Sequence, residues 1–308
     1  MDPAACSQYS EKTVLITGGG GFLGRYLIAR LSPLARTVLS VTRREHGNSR
    51  SNVELHRVDL YDFNKTLAFF EYVKPDIVFH LASASGGSAE LDNVLPHLKD
   101  DICTTVNCLI AAQKTGVSRF IIPGSSDEPL LLAGAAPESP YSIAKMTCVA
   151  FGQMFHKRYG TPTVICRIFM AYGPGQKPRK IVPYIIRSML ANEAPKLYWG
   201  TRPADWIFID DTIEALMLAG VRPGVEGKTI EIGSGVLTSI DDVANKIQHL
   251  IRNLSPAAAV TEKLQAGVRA ADLDAAFRYL QWTPRVSLDE GLEATVEWYR
   301  SQYPQSDH

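Results

Sequence analysis

Tyr141 and Lys145 stand four residues apart in SPYSIAK, and Ser125 and Ser126 close the apolar run RFIIPGSS. On a helix, positions i and i+4 share a face, so a phenol and an ammonium would lie about one turn apart. An unperturbed phenol titrates near ~10. A cation beside it stabilises the phenolate and brings proton exchange closer to neutral pH. A hydroxyl at the end of a neighbouring strand would orient a carbonyl oxygen while Tyr141 gives or takes the proton. The pattern points to redox chemistry at an alcohol or ketone, with Tyr141, Lys145 and a hydroxyl from Ser125 or Ser126 as the candidate set. Alone, a Tyr/Lys pair at this spacing is ordinary helix surface and Gly-Ser-Ser an ordinary turn. Their neighbours decide the matter.

A redox site of this kind needs a cofactor, and the N-terminal segment supplies a place for one. TVLIT leads directly into Gly18-Gly19-Gly20-Gly21-Phe22-Leu23-Gly24 and then into a run with helical spacing of its apolar residues. Gly18, Gly21 and Gly24 permit a tight turn, close approach of a pyrophosphate and close helix packing. The helix N-terminus beyond them offers unpaired N–H groups and the positive end of its dipole. The next strand ends in Thr42-Arg43-Arg44, with no carboxylate until Glu45. Two guanidiniums suit a ribose 2′-phosphate, so NADP is expected over NAD. Asp59 and Leu60, after the third strand, fall where an adenine-contacting pair would sit.

The elements that must position these groups follow from periodicity. TVLIT, TVLSV, VELHRV, DIVFHLA, RFIIP and TVICRIF read as strands, with helices expected near 63–73, 95–115 and 141–159. Alternation of this sort predicts an α/β, doubly wound parallel (Rossmann) sheet over residues 1–173, with ligands at its carboxyl edge. Residues 174–308 read as a smaller mixed α/β substrate region, some segments of which return to the first domain. KLYW and WIFI are expected there as strands, and DDTIEALMLAG, TSIDDVANKIQHLIRN, DLDAAFRYL and SLDEGLEATVEWY as helices.

Composition narrows the function classes. The chain has 308 residues, 45% hydrophobic and 21% charged, with 32 basic and 32 acidic side chains. A neutral chain without a basic stripe gives no reason to expect nucleic acid or an anionic membrane as a partner. The five cysteines form no CxxC pair or metal-ligand spacing, so no metal is expected and a reducing compartment is. MDPAACSQYSEK has no leader pattern, and no apolar run is long enough to span a bilayer. The cytoplasm is the expected location.

Taken together, TGGGGFLG, DIVFHLA, GSSDE, SPYSIAK, YGPGQ, WIFIDD and LQWTPRVSLDEGLEATVEWY resemble the extended short-chain dehydrogenase/reductases of the nucleotide-sugar branch, over essentially the whole chain. The resemblance implies that Ser125, Tyr141 and Lys145 are catalytic and that Leu81, Ala82 and Ser83 line the cofactor. It implies a nucleotide-sugar substrate near Ser83, Ser126, Asp127, Met170, Arg179, Arg202 and Arg269. Met170 stands where such families carry an Asn, and Ala204 where they carry a diphosphate-gripping Arg. Arg43 and Arg44, with Ser125-Ser126-Asp127, are similar to GDP-4-keto-6-deoxymannose reductases, which makes an NADPH-dependent 4-ketoreductase the first reading. An epimerase, or a 4,6-dehydratase that places an acid just after the hydroxyl, is the alternative; both recycle their hydride. A non-catalytic NADP-binding sensor is an alternative of another class. The resemblance also implies a homodimer through the helices near 95–115 and 141–159.

Overall fold

The computed structural model describes residues 3–42, 51–84, 89–128, 136–197, 200–252 and 268–302. Among the described residues ten strands run in chain order: β1 Thr13–Thr17, β2 Thr37–Val41, β3 Val53–His56, β4 Ile77–His80, β5 Arg119–Ser125, β6 Thr163–Ile168, β7 Met170–Tyr172, β8 Pro203–Phe208, β9 Thr229–Ile232 and β10 Leu237–Ser239. They form a seven-stranded sheet in the order β3-β2-β1-β4-β5-β6-β9 and a three-stranded sheet in the order β10-β8-β7. Every ladder from β3 to β6 is parallel. The strand order reverses between β1 and β4, the switch point at which doubly wound sheets bind ligands. The expected α/β Rossmann architecture is present.

The chain divides into two compact units. The first comprises Met1–Ile168, Ile213–Ile230 and Ala275–Gln281; the second comprises Phe169–Thr212, Glu231–Asp274 and Trp282–His308. In the first unit β1, β4 and β5 are buried along their whole length, as parallel strands covered on both faces must be. Their apolar side chains, including Leu15, Val78, Phe120 and Ile122, join Phe70, Leu109, Ala112 and Cys148 from the flanking helices in one core. Residues 213–230 return to this unit. Met217 accepts the Tyr9 hydroxyl at 2.6 Å, and Arg119 is held by the carbonyls of Ala219 and Arg222 and by Glu226.

In the second unit β10 runs antiparallel and β7 parallel to β8, with Tyr172 packed edge-on against Trp206 and Phe208. The helices Ile181–Leu190, Ile240–Arg252 and Leu288–Gln302 belong to it. Buried Asp205 accepts the N–H groups of Ser234, Gly235 and Ala271 and the Ser234 hydroxyl. One carboxylate thus satisfies donors from two loops that would otherwise be buried unpaired.

Three sequence expectations are corrected. The helix expected over 95–115 is Val94–His97, a π-helical stretch Leu98–Cys103 and the helix Thr104–Thr115, because a one-residue widening leaves the apolar spacing nearly unchanged. Lys196 and Leu197 of KLYW are not in a strand. The helix read in DLDAAFRYL shrinks to a short turn ending in the π-helical Ala276–Leu280.

Candidate active site

The glycine loop leaves β1 at Thr17, and Gly18 adopts φ +69. A Cβ there would lie 2.7 Å from the backbone of Leu81 and Ala82, and one at Gly24 would lie 2.5 Å from the Gly18 carbonyl. The helix Phe22–Leu31 begins at Gly21, which has no side chain to cap its amides. A turn stripped of Cβ atoms beneath an uncapped helix N-terminus fits a pyrophosphate. The backbone of Gly18, Gly21, Phe22, Leu23 and Gly24 would hold it.

Neighbouring segments extend the cradle. Leu81 and Ala82 donate to the carbonyl and the hydroxyl of Thr17, and the Ser83 hydroxyl bonds the Ala84 carbonyl. Thr42 follows β2 and donates to the His56 carbonyl, while Arg43 and Arg44 lie outside the described residues. Asp59 is exposed and Leu60 is buried in the core. Asn107, which sequence reading missed, donates to the carbonyls of Leu60 and Tyr61 and pins this segment.

Behind the cradle, His80 bridges the hydroxyls of Thr17 and Thr105, at 3.0 Å on each ring nitrogen. Complete burial pushes its pKa down to about 3, with the Lys145 charge adding to the effect. The native state therefore refuses a proton that an unfolded histidine takes near ~6.5. The stability this confers is complete above that pH and is lost as pH falls from there toward 3. His80→Leu is expected to lose about 1–3 kcal/mol at neutral pH, because the Thr17 and Thr105 hydroxyls each lose a ring nitrogen partner, yet to show a flatter decline in acid. Urea unfolding at pH 7 and pH 4 measures both effects.

The helix that carries Tyr141 and Lys145, Pro140–Tyr159, starts with a capping box between Ser139 and Ser142 and a Pro at its first turn. Gly152 lets it approach the sheet, since a Cβ there would lie 2.5 Å from Ile122 of β5. On this helix the Lys145 ammonium lies 5.7 Å from the Tyr141 ring centroid. Burial works against the charge on Lys145, but Tyr141, Asp101, Cys148 and Glu128 together outweigh it and raise its pKa above the ordinary lysine value. It therefore stays cationic, as stabilisation of a phenolate requires.

Ser125 ends β5, buried, and its hydroxyl oxygen accepts the Asp127 N–H at 3.1 Å. As an acceptor there, it keeps its own O–H as a donor. Ser126 and Asp127 are exposed. Glu128 is not: it accepts the Ser125 N–H at 2.6 Å and is held by Arg167 at 2.9 Å. This clamp fixes the turn that presents Ser125, and sequence reading missed it.

In the second unit Met170 begins β7, partly exposed, and Arg179 and Arg202 are exposed. Arg269 lies over the Phe169 ring and is gripped by both carboxylate oxygens of Glu231. Its guanidinium is thus already neutralised by a partner within the chain. Among the described residues there is no cluster that could hold a metal ion and no helix long and apolar enough to cross a membrane.

Comparison with known proteins bears on what this site does. A family model described as the NAD dependent epimerase/dehydratase family matches residues 14–233. The chain is 29% identical to a probable dTDP-glucose 4,6-dehydratase of Sinorhizobium fredii, over 93% of this chain and 92% of that protein. The Bordetella bronchiseptica enzyme WbmF, solved in complex with NADH, matches with a TM-score of 0.86 and 25% identity over 96% of this chain and 94% of its own. The UDP-glucuronic acid 4-epimerase of Bacillus cereus, solved with UDP-glucuronic acid and NAD, gives 0.81 and 25% over 94% of this chain and 100% of its own.

Proposed function

Because the chain belongs to the NAD dependent epimerase/dehydratase family, we propose that it is a nucleotide-sugar enzyme that oxidises a ring carbinol and returns the hydride within one catalytic cycle. The observation that carries this reading is the cationic Lys145 beside Tyr141, on the helix packed against the strand that ends in Ser125. When bound, the nicotinamide supplies a hydride acceptor and, in reverse, a donor. Tyr141 takes the proton from the sugar hydroxyl and later gives it back. Lys145 stabilises the phenolate, and Ser125 donates to the same sugar oxygen.

The relatives support this redox-neutral reading over a net 4-ketoreduction, and NAD over NADP as the resident cofactor. Epimerisation is the preferred outcome. Elimination of water needs acid–base groups beyond Tyr141, and Glu128 is committed to Arg167 and the Ser125 amide. The second reading, a 4,6-dehydratase, rests on exposed Asp127 next to the serines and on the Sinorhizobium relative. Pairing of two copies is part of the proposal, because Leu91, Val94, Leu95, Leu98 and Ile143 leave an apolar face exposed on the first unit. Light scattering in solution should give twice the mass of the chain.

The test is to incubate the protein with NAD, and separately NADP, and with UDP-glucuronic acid, UDP-glucose or dTDP-glucose. Products are then followed by anion-exchange chromatography and NMR. A 4-epimer formed without net cofactor turnover supports the proposal, and a 4-keto-6-deoxy product selects the dehydratase. Consumption of NADPH on a 4-keto sugar, with no reaction on the three parent sugars, overturns it.

A further inference from the structure

Beside the catalytic pair lies a buried histidine–carboxylate couple that the sequence reading did not single out. His97 and Asp101 are four residues apart, 2% and 1% exposed, with Nδ1 of the imidazole 2.6 Å from Oδ2 of the carboxylate. The other carboxylate oxygen accepts the Ala84 N–H at 2.6 Å, so Asp101 ties the segment after β4 to this helix. The His97 ring meets the Tyr141 ring edge-on, with centroids 5.7 Å apart. Asp101 lies in the π-helical stretch Leu98–Cys103, a local widening that recurs at functional sites.

Energetics favour a role in the site over one in stability. A buried ion pair seldom stabilises a fold more than apolar residues of the same volume would, because desolvation offsets the attraction. What such a pair does supply is fixed position and fixed charge. We propose that Asp101 and His97 are positioning residues for proton transfer: Asp101 anchors the loop at Ala84 and sets the charge balance around Lys145, and His97 holds the Tyr141 ring.

This inference rests on Tyr141 and Lys145 being the proton-transferring pair. Among the described residues, the charged and titratable groups that act on Lys145 or respond to it are Tyr141 and Cys148 on its own helix, Asp101 on the neighbouring helical segment, Glu128 beyond β5 and His80 on β4. Of these, Asp101 is one whose charge can be removed by an isosteric change outside the catalytic set.

The test uses the full chain labelled with 13C at lysine Cε. The Lys145 resonance is assigned by its loss in Lys145→Ala and is titrated in wild type and in Asp101→Asn, which keeps an acceptor for the Ala84 amide. The Asp101→Asn midpoint is expected to move to lower pH. In the same variant, kcat on the nucleotide sugar turned over should fall about ten- to a hundredfold with KM nearly unchanged. His97→Asn, with the Asp101 carboxylate in place, should lose a similar factor in kcat. An unmoved Lys145 midpoint overturns the proposal. If Asp101→Asn does not fold, Asp101→Ser, which also offers an acceptor, must move the midpoint the same way. A wild type that turns over no nucleotide sugar counts against the function proposed above. The Lys145 titration is read without substrate and still decides the role of Asp101.

Discussion

Replacing Tyr141 by Phe should leave a folded protein that binds the dinucleotide but turns over its sugar about 10²- to 10⁴-fold more slowly, the range that positioned acid–base groups supply. The ring would remain, so its edge-on contact with His97 would too. The group lost is the O–H to which the proposed mechanism assigns proton exchange with the sugar. Lys145→Ala should be milder in chemistry but worse in binding, because the same ammonium can hold the nicotinamide ribose. Steady-state kinetics with a separate calorimetric titration of the cofactor distinguish the two. A Tyr141→Phe enzyme with unchanged kcat would remove the phenol from the mechanism.

Gly24→Ala is the second large effect. The added Cβ would meet the Gly18 carbonyl oxygen at 2.5 Å and the Gly19 Cα at 2.7 Å. Both are backbone atoms and cannot swing aside. Overpacking of this kind costs about 1–3 kcal/mol, and any relief must come from moving the turn that would face the pyrophosphate. Dinucleotide affinity is expected to fall by two orders of magnitude or more, with a lower melting temperature. Gly116→Ala is the control. That glycine has positive φ, at +72, and faces open space at a helix C-terminus. It should lose about 1 kcal/mol of stability and leave cofactor affinity unchanged.

The parts of the site legible in the sequence are those whose meaning is local. The glycine spacing, the period-two and unbroken apolar runs of the strands, and the i, i+4 interval of Tyr141 and Lys145 are set by backbone geometry a few residues wide. The parts that escaped are partnerships across long stretches of chain. Nothing near Glu128 in the sequence points to Arg167, and nothing near Leu60 points to Asn107, yet each pair fixes a loop of the site. His97 and Asp101 did have helical spacing, but a charged i, i+4 pair usually marks a solvated face. Only the fold turns that face inward. Arg269 shows the converse limit of reading a charge by itself, since its partner Glu231 lies on β9, far from it in sequence.

The return of residues 213–230 to the first unit has a consequence for how the molecule is made. On the ribosome, β1 to β6 emerge long before the segment that supplies the Met217, Ala219 and Arg222 carbonyls and the Glu226 carboxylate. Until then the Arg119 guanidinium, destined for burial, has none of these partners and remains hydrated. The nascent first unit therefore stays open during synthesis and closes late, since residues 213–230 and 275–281 both belong to it. For the same reason it cannot be transplanted as one uninterrupted module, because cutting after β6 removes the residues that seal its base.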